Sequence, residues 1–304
     1  WWVANNNSGT STLYNGQGTP FPVGNPLVVN VPPPPNSSSA STPTGIVFNG
    51  STDFALAPGM PAVFIFVTED GTISGWNPGI DPHNAVLKVN NSPQAVYKGA
   101  TIADVNGKHF LYVTNFRTAE IEVYDTNFQR VRVFPFAFRD FFVPFGFAPF
   151  NIQEIGKNLY VTYAKQDAAK HDPVGGAGLG FVAVFSTSGE VIQRLQHGTF
   201  FNAPWGVALA PGDFGEFSHE ILVGNFRGGQ IAAFNPATGN FLGLVENPDS
   251  SVLTIDGLWA LSFGNSGNAG PYNTLFFTAG IQNEAHGLFG TLTAVAAEQD
   301  GDEQ

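Results

Sequence analysis

"YVTNFRTAEIEVYD" at 112–125 returns 110 residues later as "LVGNFRGGQIAAFN" at 222–235. The pair aligns Val113, Asn115, Phe116, Arg117 and Ile121 with Val223, Asn225, Phe226, Arg227 and Ile231. Each copy has two apolar alternating runs joined by a short polar loop, the pattern of a β-hairpin. Fainter copies are "WWVANNNSGTSTLYN" (1–15), "FIFVTEDGTISGWN" (64–77), "LYVTYA" with "GFVAVFS" (159–186) and "LFFTAG" with "GLFGTLT" (275–293). Taking Ala4, Thr68, Thr114, Thr162, Gly224 and Thr278 as equivalent, the steps are 64, 46, 48, 62 and 54 residues. Six units of this size fit the four-stranded blades of a β-propeller.

The remaining strands flank the hairpins. An apolar inner strand, a, precedes hairpin b–c in most units: "TGIVFN" (44–49), "YKGATIADV" (97–105), "FNIQEIG" (150–156), "WGVALAP" (205–211) and "GLWALSFGN" (257–265). An outer strand, d, follows: "PLVVNV" (26–31), "AVLKVN" (85–90), "RVRVF" (130–134), "EVIQRL" (190–195) and "NFLGLV" (240–245). The sequence therefore predicts an all-β, six-bladed propeller over 1–295 and an acidic disordered tail over 296–304. No helix is expected, because Gly and Pro punctuate the chain and period-two patterns dominate. The first unit lacks strand a and the last lacks strand d. This leads to the expectation of a segment upstream of Trp1, or of another chain, that completes the ring.

The chain has 304 residues, no Cys, and 24 acidic against 12 basic residues, for a net charge of −12. Disulfides and thiol nucleophiles are excluded. The acidic balance argues against nucleic acid and against anionic membrane surfaces. No run approaches the ~18 apolar residues of a membrane span. The opening "WWVANN" has the look of a mature product whose signal peptide was removed, which points to a secreted, extracellular or cell-surface protein. GxSxG, HExxH, Walker and GxGxxG motifs are absent, and "GGAGLG" (175–180) has the wrong spacing.

In such a blade the b–c and d–a connections share one face of the ring, and the unusual segments fall there. They are "VPPPPNSSSASTPT" (31–44), "FPFAFRDFFVPFGFAP" (134–149, seven Phe), "AKQDAAKHDPVGGAGLG" (164–180), "ENPDSSVLTIDG" (246–257) and "AGIQNEAHG" (279–287). Function is expected on this loop face. Glu69, Asp70, His171, Asp172, Glu284 and His286 form a candidate set for a divalent metal at the channel mouth. Oxygen-rich ligation would favour calcium, and two His with one carboxylate a transition metal. Asn5, Asn115, Asn225, Asp167 and Asp256 join them as candidate binding residues. Turn Asn, Asp and His also bond their own backbone, which is the competing reading. Arg117 and Arg227 either clasp an anion or pair with carboxylates such as Glu120 or Asp70. Trp205 and Trp259 line the channel or fill its core, and Trp76 packs between blades. The Phe-rich loop is either a partner-docking patch presented by Phe138, Phe141, Phe142 and Phe145 or a plug that buries its rings in the channel.

At "FIFVTEDGTISGWNP" (64–78), "GFAPFNIQEIGKNLYVTYAKQDAAKHD" (146–172), "NAPWGVALAP" (202–211), "DGLWALSFGN" (256–265) and "EAHGLFGTL" (284–292) the sequence resembles a family of secreted, NHL-like six-bladed propellers met in bacteria with exported surface proteins. The resemblance covers nearly the whole chain. It implies the six-bladed fold and an extracytoplasmic location, and it carries no reaction, ligand or catalytic residue. Two function classes follow: a secreted module that binds an extracellular protein, a glycan or copies of itself through its loop face, and a metal-dependent, lactonase-like hydrolase.

Overall fold

A computed structural model of the chain describes residues 1–295; the acidic tail expected over 296–304 lies outside them. Six antiparallel sheets follow one another along the chain as a six-bladed β-propeller. The inner strands are Pro43–Phe48, Tyr97–Val105, Phe147–Ile155, Pro204–Leu209 and Leu258–Phe263, in blades 2 to 6. Blade 1 holds Trp2–Asn5, Thr10–Leu13 and Val28–Asn30, and so has no strand a. Blade 6 ends on its third strand, His286–Thr293, within the described residues. Blades 1 and 6 meet nonetheless. The Trp1 indole donates to Ala269 O (2.9 Å) and packs on Phe276 (4.6 Å), while Gly16 N donates to Asn268 O (3.0 Å).

One structural device recurs in five blades. Each inner strand gains one extra residue near its start, at Pro43/Ile46, Tyr97/Ala100, Pro149/Asn151, Pro204/Val207 and Leu258/Leu261. These β-bulges put Thr44, Lys98, Phe150, Trp205 and Trp259 at corresponding places on neighbouring inner strands. The amide set free by the bulge needs a new acceptor. In three blades a strand-b threonine supplies it: Thr114 accepts from Gly99 N (2.8 Å), Thr162 from Asn151 N (3.0 Å) and Thr278 from Ala260 N (3.2 Å). Blade 2 is shifted by one residue from the sequence alignment. Thr68 pairs with Pro43, so Val67 rather than Thr68 takes the threonine position. Glycine follows the bulged residue where the next inner strand comes closest. A Cβ on Gly206 would lie 2.7 Å from Trp259 O, and one on Gly45 would lie 2.9 Å from Lys98 O.

Blade 3 departs from the sequence reading. Its outer strand is only Arg130–Val131 rather than 130–134, and of the two readings of the Phe-rich segment the plug falls away, because most of its rings are exposed, while Phe138 is buried and leaves the docking set. The chain leaves the sheet early because Phe138 has a better site between blades. It packs on Tyr112 (5.8 Å) and Phe185 (6.0 Å), and its amide donates to Gly189 O (2.8 Å) in a turn at the far end of blade 4. Asp140 then fixes the loop to the outer strand of blade 4 through both Nε (2.7 Å) and a terminal nitrogen (2.8 Å) of Arg194. The mouth is filled instead by Phe116, Phe150, Trp205, Phe226 and the half-buried Trp259. At the opposite end a cleft of about 270 Å³ remains open between Ile46–Phe48, Ala100–Ile102 and Gln153–Glu154.

Candidate functional site

The mouth is built from the bulge residues and the b–c loops above them. Phe150, Trp205 and Trp259 meet edge to face or tilted, with centroids at 4.7, 4.9 and 5.9 Å, and Phe226 stacks on Trp259 at 3.9 Å. Beside this aromatic floor stands Lys98, which is 1% exposed. Its ammonium lies near the Phe116 and Phe150 rings (5.7 and 5.8 Å), pairs with Glu69, and is 3.7 Å from Asp172 Oδ1. Cation–π contact and carboxylates together compensate a charge that burial alone would penalise.

Part of the predicted ring converges here. Glu69, His171 and Asp172 offer ligand atoms that all lie within 4.8 Å of one another. His171 Nδ1 is 3.1 Å from Asp172 Oδ1, and Asn6 Nδ2 donates to Glu69 Oε2 (3.0 Å). Glu284 faces the same group from blade 6. The residue is exposed on its outer side, yet desolvation of the carboxyl raises its pKa above the ordinary Glu value, with Arg227 and Lys98 pulling the other way and the Glu69 charge adding to the rise. The mouth therefore holds carboxylates in unlike environments, with cations between them.

Glu284 reaches this place at a conformational cost. Gln282, Asn283 and Glu284 all have left-handed backbones, with φ of 56°, 56° and 64°, and none is glycine. Asp256 accepts the amide of Gln282 (3.0 Å) and thereby holds the turn. Left-handed conformations cost L-residues roughly 1–2 kcal/mol each.

Other predicted residues do local structural work. Asp70 turns away and accepts from Thr42 N (2.7 Å) and Oγ1 (2.9 Å), which pins the proline-rich loop. Asp167 accepts from His171 N (2.8 Å) within its own turn. Asn5 donates to Thr10 and Thr12, and Asn225 links Asn202 N (2.8 Å) to Gln230 O (3.1 Å). Asn115 donates to Glu122 (2.9 Å), a 3% exposed carboxylate that also accepts from Tyr97 (2.8 Å) and Tyr124 (2.6 Å). Burial raises both phenol pKa values above their ordinary range, followed by the Glu122 charge for Tyr97 and by Tyr97 and then Glu122 for Tyr124. His286 is exposed and stands outside the cluster. Arg117 pairs with neither Glu120 nor Asp70; Glu120 is taken by Arg130 (3.2 Å), and the Arg117 Nε is buried without an acceptor among the described residues. Arg227 lies over Phe226 (4.6 Å).

Sequence reading missed Lys98 and Asn6. The signal for Lys98 was a lone cation in "YKGATIADV", at a place where the other inner strands carry Thr, Phe or Trp.

No family model matches the chain. Three proteins of Acanthamoeba polyphaga mimivirus do, two of them over nearly the whole chain. Uncharacterized protein R648 is 31% identical over 301 residues, covering 96% of this chain and 71% of R648. Uncharacterized protein L690 is 30% identical over 304 residues, covering 96% of this chain and 76% of L690. The chain belongs to this family of mimivirus proteins. The relatives are thus viral, where the sequence resemblance pointed to bacteria. Among solved structures, the fold resembles a protein of unknown function from Bacteroides caccae (TM-score 0.58, 10% identity, covering 96% of this chain and 89% of that one). It also resembles a chain of a nidogen/laminin complex (TM-score 0.52, 13% identity, 93% and 86% covered). At these identities the likeness shows that the mimivirus family shares the propeller fold with them, and nothing more.

Proposed function

We propose that this propeller is a secreted binding module of an extracellular or cell-surface assembly, and that its mouth takes a glycan. The observation that carries this reading is the strained turn at 282–284, which brings Glu284 and the Trp259 indole together against Gly280 on the loop face that also holds Glu69 and Lys98. Strain of this kind persists where the surrounding structure is committed to holding a side chain in place. Carboxylates, an amide and cations around a half-buried indole match the hydroxyls and C–H faces of sugars, and the exposed part of Trp259, backed by the buried rings beneath it, supplies the apolar contact. The test is titration of the protein with a panel of oligosaccharides, followed by tryptophan fluorescence. Binding that is lost in Glu284→Ala and in Trp259→Ala supports the reading. A panel with no binder, or a binder indifferent to both substitutions, removes it.

A second reading is a divalent cation on Glu69, His171 and Asp172, which would serve a metal-dependent hydrolase. The donor set suits calcium or a transition metal, and its compactness favours the idea. Lys98 weighs against it, because its ammonium already neutralises these carboxylates. Elemental analysis of the purified protein separates the two. A stoichiometric metal lost on Glu69→Gln favours the hydrolase reading.

A further inference from the structure

The Phe-rich loop carries an inference independent of the mouth. Phe134, Phe136, Phe141, Phe142 and Phe145 are 80, 65, 76, 76 and 99% exposed, all within twelve residues. Large apolar rings this exposed mark an interaction surface. They are held out by a built scaffold. Phe138 is sunk between blades 3 and 4, and Asp140 is clamped by Arg194 and caps the amide of Phe142 (2.9 Å). Phe136 and Phe138 are themselves left-handed, with φ of 70° and 61°, a rare state for bulky residues.

Charge selects the occupant. The chain as a whole is −12, yet within 132–145 and its Arg194 clamp three arginines stand against Asp140 as the one carboxylate. Asp140 is neutralised by Arg194, and among the described residues Arg132 and Arg139 have no carboxylate partner. Arg139 lies over Phe136 (5.9 Å) and Arg194 over Phe142 (4.3 Å), so cations and rings share one surface. A two-fold contact between copies through this loop would bring one basic patch against the other. A contact with the acidic remainder of another copy would be head-to-tail and would build rings or filaments in the absence of lipid. A bilayer accepts both features, since exposed rings enter the headgroup boundary while arginines meet lipid phosphates. The distant negative charges are screened beyond about 8 Å at physiological salt.

The geometry points to the 132–145 loop as a membrane-surface anchor that inserts Phe134, Phe136, Phe141, Phe142 and Phe145 into an anionic lipid bilayer. The experiment is vesicle co-sedimentation of the full chain, with phosphatidylcholine alone and with about a third phosphatidylserine. The protein pellets with the phosphatidylserine vesicles, and less so as salt rises. The triple variant Phe141→Ser, Phe142→Ser, Phe145→Ser weakens this by about tenfold or more, and Arg132→Gln with Arg139→Gln weakens it toward the phosphatidylcholine level. These side chains are exposed, so unchanged circular dichroism and melting verify folding; Phe134→Ser with Phe136→Ser serves if the triple variant melts early. Absence of pelleting with either vesicle overturns the proposal, as does binding that survives the Phe substitutions. So does a lipid-free dimer or filament that the triple variant dissolves, because the loop then docks another copy.

Discussion

Lys98, from the inner strand of blade 3, pairs with Glu69 in the b–c loop of blade 2, and both are largely withdrawn from water (1% and 11% exposed). The pair joins two blades at the channel mouth and sets the charge of the candidate site.

Breaking that pair from one side leaves a buried charge alone. Lys98→Met is expected to destabilise the protein by about 3–5 kcal/mol in urea unfolding. Adding Glu69→Gln to Lys98→Met should recover a large part of the loss, because no isolated carboxylate then remains. A double variant as unstable as the single one would show that Lys98 acts through packing.

Glu284 imposes a pH dependence of unusual sign. Its carboxyl pKa is raised on folding, so in the pH window between the ordinary Glu value and the raised one the folded state binds more proton than the unfolded chain. Stability from this group is present below the ordinary Glu value and is lost as pH rises through the raised one. Glu284→Gln should therefore melt higher than wild type near pH 7, with the difference closing in acid. Melts at a series of pH values check this, and a constant difference would refute it.

The left-handed turn should trade stability against binding. Gln282→Gly removes the side-chain clash of that conformation and is expected to stabilise by about 1 kcal/mol. It should also loosen Glu284 and weaken ligand binding. The paired measurement is a thermal melt and an oligosaccharide titration on the same variant.

Gly206 tests the bulge device. An added Cβ would meet Trp259 O at 2.7 Å, and the obstacle is backbone that cannot swing aside. Gly206→Ala should cost about 1–3 kcal/mol. Gly59, where nothing lies within 4 Å of an added Cβ, has a left-handed φ of 71°, so its Ala variant isolates backbone strain from crowding.

Much of the architecture was readable because hairpins are local. Residues 112–125 form strands b and c of one blade, and alternation with turn residues reports that directly. The register of strand a against strand b was less readable. A bulge shifts it by one residue, and only the ladder shows that Val67, not Thr68, stands opposite the blade 2 bulge. The mouth was legible in outline, since Glu69, His171, Asp172 and Glu284 sit on b–c loops that the propeller must bring to one face. Asp70, Asn115 and Asn225 looked the same in sequence. They are turned inward to satisfy backbone and side-chain partners, a choice set by hydrogen-bond accounting that composition does not carry. For the Phe-rich loop the sequence left patch and plug open, and only packing decided that Phe138 and Phe147 find sites beside blade 4 while the other rings stay exposed.

By itself, then, the sequence determined six hairpin units, their outer and inner flanking strands and the acidic excess, because strand pattern and charge are properties of short stretches. Tertiary structure decided that Lys98 neutralises Glu69 across a blade boundary, that aromatic residues of four blades close the mouth, and that Arg194 holds the Phe-rich loop on the rim. Those outcomes depend on side chains far apart in the chain competing for the same few buried partners, and the competition is resolved only when the blades pack.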